Sequence, residues 1–143
     1  MRKANLVLAV FLIFCIGLCG CSQPVQKEPE HNTAYSLSAA EYQMAVNHKI
    51  APLISNLQSI ANEDVIDEEL GGQILKHIDE VYQGIADLNP PKAKALYQAE
   101  LLDNLSLAQK CVEYQSGKSD DQPTKSLNEI LPMIEAAFRV SVN

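Results

Sequence analysis

Four stretches of the chain carry apolar residues at every third or fourth position, and this spacing constrains the fold more than any other feature. Such a period places the apolar side chains on one face of an α-helix. No alternating run of β-branched residues is long enough to form a strand. The sequence predicts an all-α domain over residues 37–143, an antiparallel up-down four-helix bundle, or alternatively a three-helix bundle with a short appended helix.

The start of the first helix is marked by LSAAEY, residues 37–42. Ser38 can cap this helix, while the Glu41 side chain can reach back to the Ser38 amide. Pro52 removes the hydrogen bond to the His48 carbonyl, so we expect a kink near residues 47–51 or a break into two helices. The expected buried stripe is Ala39, Tyr42, Val46, Ile50, Leu53, Leu57 and Ile60, with Ile54 and Ala61 beside it.

Turn residues separate the other three helices. The acidic residues of NEDVIDEEL, residues 62–70, lie where the positive end of the second helix dipole is expected. Asn89 is the expected cap of a third helix ending at Gly117, and a fourth is expected to start near residues 121–124 and bend at Pro132. The expected buried residues are Leu70, Ile74, Ile78, Val81, Ile85 and Leu88, then Tyr97, Leu101, Leu105, Ala108 and Val112, then Leu127, Leu131, Ile134 and Phe138.

Residues 1–20 have the layout of an export signal, with two basic residues, an apolar run and small residues before a cleavage point. The apolar run is shorter than the roughly 20 residues of a transmembrane helix. Leu18-Cys19-Gly20-Cys21 resembles the bacterial lipobox, which implies that Cys21 carries lipid, including palmitate, and becomes the mature N-terminus. The alternatives are an ordinary signal cut near Gly20, or a short signal anchor that is not cut.

Residues 21–36 are predicted to be the lipidated cysteine and a polar tether. As a flexible coil, residues 22–35 would span about 20 Å, and the alternative is an irregular arm packed on the domain. The lipobox, this tether and Leu88-Asn89-Pro90-Pro91 together resemble small bacterial lipoproteins of unknown function. That resemblance implies a lipid anchor on the extracytoplasmic side of the cell membrane or outer membrane, and it transfers no catalytic residues. Where such proteins often carry a histidine after the double proline, this chain has Tyr97.

The acidic composition argues against two kinds of direct partner, nucleic acid and anionic lipid headgroups. Without residues 1–20 the chain has 9 basic and 18 acidic residues, a formal charge of −9. Nucleic-acid binding depends on clustered lysine and arginine, so no nucleic-acid partner is expected. No polybasic run is present that would bind anionic lipid headgroups directly.

Candidate metal ligands are few. Met44 and His48 stand four residues apart and His77 lies on the next helix, but copper and zinc sites need three or four convergent ligands, so no metal site is predicted. The acidic residues near 63–69 lack the spacing of a calcium loop and are interpreted as a solvated helix start. No Cys-x-x-Cys-His motif for covalent heme is present, and no cofactor is expected.

No pattern typical of an enzyme is found, and no catalytic residue is assigned. Cys111 lacks the surroundings of a reactive thiol and is predicted to be a buried small hydrophobe. Tyr42, Tyr82, Tyr97 and Tyr114 are expected at the edge of the core, with hydroxyls in water, or lining a groove.

The favoured hypothesis is a non-enzymatic envelope lipoprotein that docks onto a protein partner through an exposed apolar patch on one helix pair. The alternative is a lipid-tethered binder of a small molecule or metal, with a pocket between helices lined by tyrosine and histidine.

Overall fold

The structure is a computed structural model that describes residues 37–142, with side chains described through residue 139. Four α-helices form this part of the chain: α1 Ala39–Ile60, α2 Glu68–Ala86, α3 Ala95–Gln115 and α4 Leu127–Val142. A 3₁₀ turn, Lys92–Lys94, precedes α3. The predicted all-α fold is therefore confirmed, and the described residues contain no strand.

Backbone hydrogen bonds between distant segments define the topology. The Leu37 amide donates to the Asn89 carbonyl at 3.2 Å, so the start of α1 lies beside the end of α2. The Ile66 amide donates to the Gln115 carbonyl at 2.9 Å, which places the α1–α2 connection at the end of α3. The helices pack in the cycle α1, α2, α3, α4 and back to α1. This arrangement is an up-down four-helix bundle with antiparallel neighbours.

The core follows the predicted apolar faces closely. Burying these side chains away from water supplies the main driving force for folding, since helices of this length are marginal on their own. The largest fully buried side chains are Tyr42, Val46, Ile50, Leu53, Leu57, Ile78, Ile85, Leu101, Leu105, Leu127, Ile130 and Ile134.

Local sequence sets the ends of the helices. Ser38 and Glu41 form the predicted capping box at the start of α1. At the start of α4 the Ser126 amide and hydroxyl both donate to the Glu129 carboxylate, at 2.8 and 2.9 Å. Hydrogen bonds from these serines hold the pKa values of Glu41 and Glu129 below their usual value. Gly117 closes α3 with a φ of 70°, a backbone conformation that favours glycine.

The structure corrects several expectations about helix continuity and helix ends. α1 runs without a break through Pro52, and α4 runs through Pro132. Both prolines are exposed, so water can reach the carbonyls that lose a hydrogen-bond partner. Asn89 does not cap α3, because the turn at Lys92–Lys94 comes first. α4 begins at Leu127, later than expected, because Ser126 rather than the 121–124 segment supplies its cap.

Burial also differs from the expected stripes at a few positions. Ala39 is exposed and Leu70 is 42% exposed, because each lies in the first turn of its helix. Gln98 was not predicted in the core, yet its amide is buried and donates to the carbonyls of Ile85 and Leu88. Asn104 is buried as well, and its Nδ2 has no hydrogen-bond partner among the described residues.

None of the helices in the described part of the chain is both long and apolar enough to cross a membrane.

Candidate functional site

The predicted lipidation site, Cys21, lies outside the residues that the structure describes, as do the export signal and the tether. The other candidate residues can be placed.

The three candidate metal ligands do not converge. Met44 is 73% exposed and His48 is exposed, both on α1. The Nδ1 atom of His77 lies 3.0 Å from the Nδ2 atom of Asn56, which places His77 eight residues, or about 12 Å, along α1 from His48. Between residues 37 and 142 no three histidine, cysteine or acidic side chains gather closely enough to hold a metal ion.

The acidic residues at the start of α2 take part in helix capping. The Asp67 carboxylate accepts hydrogen bonds from the amides of Glu69, at 2.8 Å, and Leu70, at 3.3 Å. Glu68 and Glu69 occupy the first turn of α2, where the helix dipole favours negative charge.

The tyrosines occupy different environments. Tyr42 is fully buried, and its hydroxyl has no hydrogen-bond partner among the described residues, so the expectation that it reaches water is wrong. Tyr82 and Tyr97 are half-buried, as expected for the edge of the core, so the expectation that Tyr97 belongs to the buried stripe of α3 is wrong. Tyr114 is 40% exposed near the end of α3.

Cys111 is buried, as predicted, and its thiol donates to the Lys125 carbonyl at 3.0 Å. Burial, together with the nearby Glu129 carboxylate, raises the pKa of the Cys111 thiol from 9.0 to about 11. The thiolate is the nucleophile in cysteine chemistry. This thiol is therefore protonated at neutral pH and is a poor nucleophile.

We expect maleimide to label Cys111 at least about 100-fold more slowly in the folded chain than in denaturant at pH 8, because the raised pKa alone lowers the thiolate fraction about that much. Mass spectrometry of the peptide that contains Cys111 measures the labelling. The unfolded chain loses this proton more readily, so the thiol's contribution to folding stability is present below pH 9 and is lost as the pH rises towards 11.

A cysteine placed at exposed Ser55 is the control, since its labelling should be nearly the same in the folded chain and in denaturant. Equal labelling of Cys111 under both conditions would contradict its burial.

A groove opens at the end of the bundle where the α1–α2 and α3–α4 connections meet. We call it the loop-end groove; it has a volume of about 470 Å³. Its walls are the 61–64 segment, Tyr114 and Gln115 at the end of α3, and residues 122–129, and buried Cys111 lies at its floor. A second cavity of about 280 Å³ is lined by α3, by Ser119 and residues 121–125, and by Ile130 of α4.

Side-chain hydrogen bonds hold the walls of the groove together. Gln115 Nε2 donates to the Glu63 carbonyl at 2.6 Å, and Asn128 Nδ2 donates to the Ala61 carbonyl at 3.0 Å. Asn128 also donates to Asn62 Oδ1 at 3.0 Å. These bonds connect the α1–α2 segment to α3 on one side and to α4 on the other. The groove is thus built into the packing of the bundle.

Charge is distributed unevenly along the bundle. The loop end, defined as residues 61–70 and 113–129, carries nine carboxylates against two lysines. At the opposite end, residues 37–44, 84–98 and 137–139 carry two carboxylates and three basic residues. The loop-end carboxylates belong to Glu63, Asp64, Asp67, Glu68, Glu69, Glu113, Asp120, Asp121 and Glu129.

Exposed large apolar side chains occur at both ends. Val65, 78% exposed, Leu70 and Tyr114 lie at the loop end. Met44 and Leu96 lie at the opposite end. These five residues are spread over α1, α2, α3 and the α1–α2 segment.

Sequence reasoning missed the groove because its walls come from three separate segments. Neither of the two cavities is the expected pocket between helices lined by tyrosine and histidine, since Tyr114 is their one tyrosine and no histidine lines either. The one local sequence signal near the groove is the Ser-x-x-Glu pattern at 126–129, which repeats the pattern at 38–41. It marks the start of α4 and not the groove itself.

Comparisons with protein-family models, with curated proteins and with solved structures find no match.

Proposed function

We propose that this chain is a non-enzymatic bacterial envelope lipoprotein, anchored through lipid on Cys21, which acts as a docking or accessory subunit for another envelope protein. Residues 21–36 would connect the anchor to the bundle on the extracytoplasmic side of the membrane. The resemblance of residues 18–21 to a lipobox supports the anchor.

The observation that carries the docking role is the difference between the two ends of the bundle. The described chain begins at Leu37, next to the start of α1, and α1 extends about 33 Å over its 22 residues to the loop end. The loop end combines excess negative charge with exposed Val65, Leu70 and Tyr114. A surface that joins charge and exposed apolar side chains is suited to binding a protein partner. The loop end is the end of the bundle opposite Leu37, where the described chain begins.

The local chemistry favours binding over catalysis. The Cys111 thiol at the floor of the groove has a pKa raised to about 11, so it is not activated as a nucleophile. The pKa of Tyr42 is also raised by burial, but Tyr42 lies near the start of α1, far from the groove.

Affinity capture and chemical crosslinking of the lipidated protein from its own envelope test this proposal, with mass spectrometry as the readout. We expect a stoichiometric envelope protein that is captured with the native chain and lost with Cys21→Ser. Radiolabelled palmitate should label the native chain and Cys15→Ser, which leaves the lipobox intact, but not Cys21→Ser.

Two results would contradict the proposal separately. Normal palmitate labelling of Cys21→Ser would remove the assigned anchor. Capture of the lipidated chain without a stoichiometric partner would remove the docking role.

A further inference from the structure

We infer that the loop-end groove binds a cationic peptide segment, one that carries lysine or arginine next to an aromatic or aliphatic residue, supplied by the docking partner. This inference rests on the proposed function and specifies the chemistry of its partner.

The negative charge of the groove favours a positively charged occupant. Glu63, Asp64 and Glu129 line the groove, and Lys125 is its one basic residue. Hydrogen bonds from Ser126 keep the pKa of Glu129 low, so its carboxylate stays ionised at neutral pH. The surrounding loop end adds further carboxylates, and such a field favours the approach of a positively charged partner.

The groove also offers hydrogen-bond acceptors. The carboxylates of Glu63, Asp64 and Glu129 line the groove, and carboxylate oxygens accept hydrogen bonds. Ammonium and guanidinium groups carry only donors. A lysine or arginine entering the groove can therefore donate hydrogen bonds to these carboxylates, whereas a carboxylate ligand brings no donor and is repelled.

Shape and apolar surface favour a peptide over a small ion. A volume of about 470 Å³ is large enough for several side chains. Tyr114 is 40% exposed on the groove wall, and tyrosine is among the residues that contribute most to protein interfaces. In the described chain, no three acidic, histidine or cysteine groups converge as metal ligands, so a metal ion lacks the coordination it requires.

The test uses the full chain in non-ionic detergent and a fluorescein-labelled peptide that alternates lysine with tyrosine. Fluorescence anisotropy measures the dissociation constant, with empty micelles and a glutamate-tyrosine peptide as blanks. The groove variant is Glu63→Gln with Asp64→Asn. The matched variant, Glu100→Gln with Asp103→Asn, removes the same charge from exposed positions on α3.

We expect the native chain to bind the lysine peptide saturably, and the glutamate peptide not to bind. The groove variant should weaken binding about fivefold and the α3 variant less than twofold, since rim charges contribute modestly and locally. Tyr114→Ala should weaken binding about tenfold. Circular dichroism spectra of all variants should match the native spectrum.

Equal weakening by the two charge variants would overturn the inference, because it would indicate attraction to the overall charge alone. Absence of binding would overturn it as well. Displacement of the peptide by about 1 mM calcium, beyond the effect of sodium chloride at the same ionic strength, would identify a metal site instead. None of these results affects capture of a partner that depends on Cys21, so the proposed function is tested independently.

Discussion

Tyr42→Ala is expected to lower the free energy of unfolding by about 3–5 kcal/mol, because truncating a fully buried aromatic residue leaves a cavity in the core. Domains of this kind are stable by roughly 5–15 kcal/mol, so the loss is a large fraction of the total. Urea unfolding followed by circular dichroism measures the change.

Tyr42→Phe separates packing from the hydroxyl group. The Tyr42 hydroxyl is buried without a partner among the described residues, and an unpaired buried hydroxyl is unfavourable by about 1–3 kcal/mol. Phenylalanine keeps the ring and removes the hydroxyl, so this variant should be at least as stable as the native chain. A large loss of stability in Tyr42→Phe would show that the hydroxyl has a partner and would contradict its description as unpaired.

Gly71→Ala and Gly72→Ala are expected to change stability in opposite directions, although both replace a glycine in the first turns of α2. A methyl group at Gly71 would overlap the Cβ atom of Ser116, the residue that directly follows α3, where the two helices approach closely. Forcing such packing apart lowers stability by about 1–3 kcal/mol, only partly offset by about 1 kcal/mol of helix propensity. We expect a net loss of up to about 2 kcal/mol.

At Gly72 the nearest atom to an added methyl group is the Lys118 Nζ, at 3.3 Å, the mobile end of an exposed side chain. Gly72→Ala should therefore raise the free energy of unfolding by about 0.5–1 kcal/mol through helix propensity. Thermal and urea unfolding of both variants provide the comparison. Equal stability of the two variants would contradict the close approach of α2 and α3 at Gly71.

Several helix caps and most buried helix faces could be predicted from the sequence, because they depend on residues that are close together in the chain. Ser38 and Glu41 are three positions apart, so their capping exchange needs no tertiary contact. Gly117 also ends α3 through a local property, because glycine adopts a positive φ more readily than other residues do. The apolar period likewise identified Ile50, Ile78 and most of the core.

The wrong predictions of helix continuity and burial arose at positions where tertiary packing, rather than the neighbouring residues, decides the outcome. α1 does not break into two helices at Pro52, because Ile50 and Leu53 on either side of it are both fully buried in the core. Buried Gln98 was not predicted, because its partners are the carbonyls of Ile85 and Leu88 on the preceding helix and turn. Burial of a polar side chain depends on hydrogen bonds to other parts of the fold, and the period of apolar residues along the sequence does not reveal these bonds.

The sequence by itself determined that the domain is a bundle of four helices, where most of them begin or end, and which faces are buried, because hydrophobic period and capping act over a few residues. It also determined the excess of acidic charge. Only the tertiary structure decided that Glu63, Tyr114 and Glu129 border one groove, because packing brings the 61–64 segment against the end of α3 and residues 122–129, which lie far from it in the chain. The positions of these residues in the sequence do not reveal that their segments are in contact. Hydrogen bonds from the Gln115 and Asn128 side chains hold the segments together.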